Sequence, residues 1–210
     1  MLIIGAKGFA KEILEIIHQN GETENLCFYD DVNDDNPDQL FGLFPIIKSF
    51  KEAEFYFKNV SDKFVIGLGN PKHREMLFNK FTNIGGKAYT IISKNSEYGS
   101  FDNHFEDGVI ITSGVVITNS VTIKKGTLIN LASTIGHDTS IGAFVEICPN
   151  VSISGHCTIS DGVFIGTSST ILPNVTVGAN AVIAAGSVVR ENVAANTMVA
   201  GVPAILKKTL

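Results

Sequence analysis

From Phe105 to Val189 an aliphatic or aromatic residue stands at every sixth position without a slip: Phe105, Ile111 and each sixth residue to Ile171, then Val177, Ile183 and Val189. A six-residue period fits neither the 3.6 residues of a helical turn nor the two of a flat strand, so the second half of the chain is a repeat architecture. Four residues after each of these positions lies a second slot that holds Val or something small, from Val109 and Val115 through Ser133, Cys157 and Ala181 to Val193. Large inward residues thus alternate with small ones, as they must if short strands bend round a narrow axis and stack on one another. Each six-residue unit is one side of a prism. The periodicity gives the prism and not its hand.

The repeat fills only part of the 210 residues, and with about 100 to 200 residues per domain two domains are expected. The composition, 44% hydrophobic and 18% charged, is that of a chain able to bury a core. A formal net charge of −5, with no Lys/Arg cluster and no aromatic stacking array, argues against a nucleic-acid partner. The N-terminus, MLIIGAKGFAKEIL, lacks the basic region and cleavage site of a signal peptide, and no apolar run reaches membrane-spanning length. A cytoplasmic protein without membrane insertion is expected. Cys27, Cys148 and Cys157 form no C-x-x-C pair and leave one thiol over in any disulfide scheme, so reduced structural cysteines are the better reading.

The first half alternates strands and helices. Met1 to Gly5 is a short apolar strand, and GAKGFAKEILEIIHQNG follows as a tight turn and an amphipathic helix with Ile13, Ile16 and Ile17 on one face. LCFYDD is a second strand ending in Asp30 and Asp31. FPIIKS, KFVIGLG and AYTIIS supply further strands, with PKHREMLFNKFTNIG a helix between the last two. This order implies a small parallel sheet. The Gly5 to Gly8 turn between strand and helix suits a phosphate, because free N–H groups and the positive helix end face it, although the spacing equally suits a turn that only packs a helix.

The segment ISGHCTISDGVFIGTSSTILPNVTVGANAVIAAGSVV resembles the hexapeptide-repeat acyltransferases. The loop GAKGFAKE resembles that of bacterial sugar acyltransferases which join a small Rossmann-like domain to such a repeat, among them nucleotide-aminosugar N-acetyltransferases and the sialic acid O-acetyltransferase family. The resemblance implies an α/β N-terminal Rossmann-like domain, residues 1–95, followed by a left-handed parallel β-helix, residues 96–210, with three hexads per coil and assembly as a homotrimer. It implies that the first domain holds the nucleotide of a nucleotide-linked sugar through Gly5, Gly8, Phe9, Asp30 and Asp31. Many relatives have His where this chain has Phe9. Gly67 and Gly69 would border the same crevice at the carboxyl ends of the strands. A solvated turn is the competing reading of Asp30 and Asp31.

Among the polar residues that the register turns outward, His137 stands out, with Asp138 beside it in IGHDTS. Alone, an outward His is most simply a solvated one. Histidine as a residue type titrates near neutrality and is a natural general base, and the surroundings of His137 resemble those of the catalytic His of sugar acetyltransferases. With three hexads per coil His137 stacks over Gly155, and Asp138 over His156, at about 4.8 Å. Direct acyl transfer from acetyl-CoA is then expected. His137 serves as base, Asp138 orients the imidazole unless His156 competes for it, and the Gly155 N–H receives the oxyanion. No metal and no covalent enzyme intermediate are required. Where many relatives carry a second His nine residues after the base, this chain has Glu146, which could hold an amino group of the acceptor or mark a different substrate.

For acetyl-CoA, the low-bulk positions Gly166, Thr167, Ala184, Ala185 and Gly186 would let a pantetheine arm lie near the backbone. The ending AGVPAILKK, with Pro203, resembles that of CoA-binding hexapeptide enzymes. Lys207 and Lys208 either meet CoA phosphates or are a solvated basic end. With no extruded loop in the repeat, a neighbouring subunit is expected to close the site. N-acetylation of a nucleotide-linked amino sugar, such as a UDP-4-amino sugar, is the first expectation and sugar O-acetylation the second. A carbonic-anhydrase-like three-His zinc site lacks an obvious third His in the repeat. A non-catalytic β-helix that presents Thr ladders or binds glycans is the remaining class.

Overall fold

A computed structural model describes residues 1–33 and 35–210. The first part is an α/β layer built from β1 (Leu2–Ile4), α1 (Gly8–Asn20), β2 (Cys27–Tyr29), β3 (Gln39–Leu40), β4 (Phe44–Ile47), α2 (Phe50–Asn59), β5 (Lys63–Ile66), α3 (Pro71–Thr82) and β6 (Lys87–Ala88). Its sheet runs β3-β4-β2-β1-β5-β6, parallel except for the β3–β4 hairpin. Strands β1 and β2, and β5 beyond its exposed Lys63, are buried on both faces and read as apolar runs, as expected of a parallel sheet covered by helices. The α2 helix was not evident from periodicity. Its start is nonetheless written locally, because Ser49 and Glu52 form a reciprocal capping box.

From Ile91 onward two-residue strands stack into three parallel faces of a left-handed β-helix. The first face begins with Ile91–Ile92, the second with Glu97–Tyr98 and the third with His104–Phe105. Partners lie one coil apart, Ile117 on Ile135 and Ile135 on Ile153. The six-residue ladder forms one continuous core from Ile111 to Val189. Where the small slot holds a hydroxyl it turns back to the wall: Thr127 donates to the Gly142 carbonyl at 2.7 Å, and Ser133 to that of Cys148 at 3.0 Å. A buried hydroxyl is tolerated in this core because it finds such an acceptor.

Two details depart from the sequence reading. AYTIIS is not one strand of the first sheet: only its Ala88 belongs there, in the edge strand β6. Its Ile91–Ile92 pairs with Ile110–Ile111 and lays the first rung of the prism. Between Tyr98 and Phe105 the ladder also lengthens by one residue, so Tyr98 pairs with Ile117 while Phe105 pairs with Ile123. Counting back by sixes from Phe105 therefore misses the first coil. The outward Ile91, Ile110 and Leu128 of the first face join the core beneath α1, so the two parts share a packed boundary. The chain ends in a hairpin, Thr197–Gly201 with Ala204–Thr209, on the edge of the first face.

Candidate active site

The carboxyl ends of β1, β2 and β5 open into a crevice lined by Gly5, Gly8, Phe9, Asp30, Gly67 and Gly69, six residues brought together as the sequence suggested. Gly5 is in the left-handed region (φ 101°), where a side chain is disfavoured. At Gly67 a Cβ would stand 2.9 Å from the Ala10 Cα, so only glycine lets α1 approach β5 so closely. The first turn of α1 has no side-chain cap and no acid. Its amides, carrying the positive end of the helix, are free to meet an anion.

Asp30 is buried, and its carboxylate accepts from the Ala6 N–H (3.1 Å), the Asn33 N–H (3.1 Å) and the Asn33 side chain (2.9 Å). Burial pushes this carboxyl up, but the hydrogen bonds from Asn33, Asn36 and Val32 outweigh burial and hold it below its ordinary value. Asp30 therefore braces the Gly5–Gly8 loop, a task shared with Asn33 that no motif announced. Asp31 faces an adjoining cavity of about 370 Å³, lined also by Tyr29, His73, Met76 and Leu77. It accepts from the Tyr29 hydroxyl at 2.6 Å and pairs with Lys80 at 3.5 Å.

His137 sits on the corner between the second and third faces. Its Nδ1 lies 2.7 Å from Asp138 Oδ2. With the carboxylate as acceptor, Nδ1 carries the proton and Nε2 is left with a lone pair. The ring lies on Gly155 of the next coil, where a Cβ would stand 2.8 Å from both Cε1 and Nε2. The Gly155 N–H has no hydrogen-bond partner among the described residues. Asp138 and His156 occupy the same left-handed corner position one coil apart, with φ of 56° and 58°. His156 Nε2 is 3.7 Å from Asp138 Oδ2, against 2.7 Å for His137, so His137 holds the carboxylate more closely.

Glu146 is not in this cluster. It begins a strand of the first face, and its carboxylate abuts Gly69, where any Cβ would overlap Oε1. Behind it lies Arg74, fully buried, which donates to the Gly126 carbonyl at 2.5 and 3.0 Å and to that of Leu68 at 2.8 Å. Burial lowers the guanidinium pKa to about 10, still charged at neutral pH. Burial also raises the Glu146 carboxyl, an effect that Arg74 only partly offsets. Arg74 was silent in the sequence, where an Arg in a helix reads as a solvated residue.

Gly166, Thr167, Ala184, Ala185 and Gly186 lie together on the corner between the first and second faces. A Cβ on Gly166 would stand 2.6 Å from the Ala185 nitrogen, and Gly186 N–H donates to the Thr167 carbonyl at 2.8 Å. Within one chain the whole second face separates this corner from His137 and Gly155. Pro203 is in the turn of the terminal hairpin, with Lys207 and Lys208 exposed on its outer strand. All three cysteines are free and buried, and burial raises the Cys148 thiol to about 11, so it stays protonated. Among the described residues no helix is long and apolar enough to cross a membrane.

Residues 1–81 match the PglD N-terminal domain, and residues 156–191 the bacterial transferase hexapeptide (six repeats). Curated proteins give no match. Among solved structures, the acetyltransferase domain of PglB from Neisseria gonorrhoeae is 26% identical, with 100% of this chain and 98% of that one covered and a TM-score of 0.88. The same domain has been solved in complex with acetyl coenzyme A. WeeI from Acinetobacter baumannii is 26% identical, with 98% of each chain covered and a TM-score of 0.89. PerB from Caulobacter crescentus, solved in complex with CoA and GDP-perosamine, shares the fold at 24% identity, with 99% and 96% covered and a TM-score of 0.89.

Proposed function

We propose that the chain, which is similar to the hexapeptide-repeat sugar acyltransferases in both of its parts, transfers the acetyl group of acetyl-CoA directly to the amino group of a nucleotide-linked amino sugar. The observation that carries the reading is the His137 imidazole, fixed by Asp138 at 2.7 Å and lying over Gly155. His137 Nε2 removes the proton as the amine attacks the thioester. Asp138 holds the tautomer and stabilises the imidazolium that forms. The unpaired Gly155 N–H donates to the oxygen on which charge develops, and the departing thiolate takes up the proton. The buried, protonated Cys148 and Cys157 offer no competing nucleophile.

In this reading residues 1–95 hold the sugar nucleotide and residues 96–210 carry out the transfer. The diphosphate lies at Gly5, Gly8 and Phe9, on the uncapped start of α1. Asp31 and the mostly apolar cavity beside it receive the nucleoside. Asp30 acts by bracing the loop. Gly67 and Glu146, at the inner edge of the crevice, face the sugar, with the Glu146 carboxylate placed to attract its amino group. Gly166, Thr167, Ala185, Gly186 and Pro203 line the pantetheine path. Because one chain carries these residues and His137 on different corners, the site is completed by a second copy, and we assign a homotrimer working in the cytoplasm.

The test is a turnover screen of acetyl-CoA against UDP-, dTDP- and GDP-linked amino sugars, read as thiol release. One of them is acetylated on nitrogen, and His137→Ala lowers kcat by about 10²–10⁴ with acetyl-CoA binding and assembly intact. Wild-type turnover in that variant removes the mechanism. Acetylation of a hydroxyl alone replaces the acceptor but keeps the base.

A further inference from the structure

We propose that His137, Asp138 and His156 form a binding site for a divalent transition-metal ion, Zn²⁺ by its donor set, and that filling it switches off acetyl transfer. The inhibitory half of the proposal rests on the role given to His137 above; the binding half does not. The three side chains offer one ligand atom each, all within 4.8 Å of one another. The fold makes the cluster, because Asp138 and His156 take the same left-handed corner position in successive coils. The corresponding corner residues below and above are Ser120 and Asn174, so the imidazole and carboxylate are stacked only at this level among the described residues.

The geometry suits a small tetrahedral ion. Bonds of about 2.0–2.2 Å from Zn²⁺ to imidazole nitrogen and carboxylate oxygen place neighbouring donors about 3.3–3.5 Å apart. Asp138 Oδ2 is 2.7 Å from His137 Nδ1 and 3.7 Å from His156 Nε2, so one separation opens and the other closes by less than about 1 Å. The imidazole planes are perpendicular, with centroids 5.0 Å apart. No Lys or Arg neutralises Asp138 among the described residues. In a single chain the side chains are about half exposed, at 59%, 49% and 57% for His137, Asp138 and His156, so nothing within the chain blocks an ion from the three donors or a water from the fourth position.

The consequence for the base follows from proton position. In the free protein Nδ1–H donates to Asp138 and Nε2 carries the lone pair. A neutral imidazole that ligates through Nδ1 carries its proton on Nε2 instead. The proton therefore moves from Nδ1 to Nε2 with none gained or lost, and the lone pair that accepts from the amine is gone. Bound Zn²⁺ is on this account an inhibitor and not a resident cofactor.

The test uses the whole chain, stripped with a chelator and titrated with Co²⁺ in the absence of CoA. The expected result is the visible absorption of a nitrogen- and oxygen-ligated tetrahedral ion, with no thiolate charge-transfer band, lost in His156→Asn and in Asp138→Asn. Asn suits the left-handed position at both sites, so the fold is kept. In parallel, Zn²⁺ inhibits thiol release by wild type, and H156N turns over acetyl-CoA with at least tenfold lower sensitivity to the ion. Absence of the visible band, its survival in H156N, or a thiolate band in its place overturns the site. A band that depends on His156 in a protein that acetylates no sugar supports the site and counts against the role of His137.

Discussion

Gly155→Ala tests the acyl-transfer geometry at one atom. The added Cβ would stand 2.8 Å from Cε1 and Nε2 of His137 and 3.1 Å from Cδ2. Non-bonded carbons rest at about 3.5–4.0 Å, so the ring must withdraw by about 0.7–1.2 Å. Its Nδ1 is tied to Asp138 at 2.7 Å, and the motion open to it is a pivot that carries Nε2 off the line of attack. A displacement of about 1 Å at the reacting centre costs about a hundredfold, or about 2.7 kcal/mol of barrier. Gly155 lies outside the left-handed region, so alanine brings no backbone strain, and stability should stay within about 1 kcal/mol of wild type. The assay is steady-state thiol release with the acceptor found by the screen, alongside a thermal melt. We expect kcat to fall about a hundredfold, with the KM for acetyl-CoA changing little. A kcat within about threefold of wild type, far less than a 1 Å displacement should cost, would refute the placement of the His137 ring on Gly155; the backbone N–H, which alanine keeps, is unaffected by this variant.

Two further outcomes concern the boundary between the two parts of the chain. Arg74→Ala strands the Gly126 and Leu68 carbonyls and leaves the half-buried Glu146 without its nearby cation. The loss expected is about 3–5 kcal/mol in urea unfolding, and a loss below about 1 kcal/mol would mean that water replaces the guanidinium freely. Glu146 acts in the opposite sense. Burial raises its carboxyl above the ordinary 4.5, so the folded chain disfavours the ionised form and stability falls as pH rises through the raised value. Glu146→Gln should therefore be more stable than wild type at neutral pH, and the two should converge below pH 4.5, where the wild-type carboxyl is protonated in both states. A variant less stable than wild type at neutral pH would show that the attraction of Arg74 outweighs burial.

The sequence by itself determined the prism. One apolar residue in six can be satisfied only by stacking identical sides, and Phe105 to Val189 carry that rule without help from distant parts of the chain. The same register turned His137 outward and set it over Gly155, because stacking by coils is a local arithmetic. The crevice residues Gly5, Gly8 and Asp30 were legible too, since a glycine turn between strand and helix has a known place in a parallel sheet. The tertiary structure alone decided how those residues are used. Asp30 is saturated by Ala6 and Asn33, Glu146 stands against Gly69 instead of beside His137, and Arg74 is sealed between the two parts. These facts depend on which surfaces meet across a domain boundary or around a coil. No spacing records them, because such contacts are set by the mutual packing of segments that are remote in the chain.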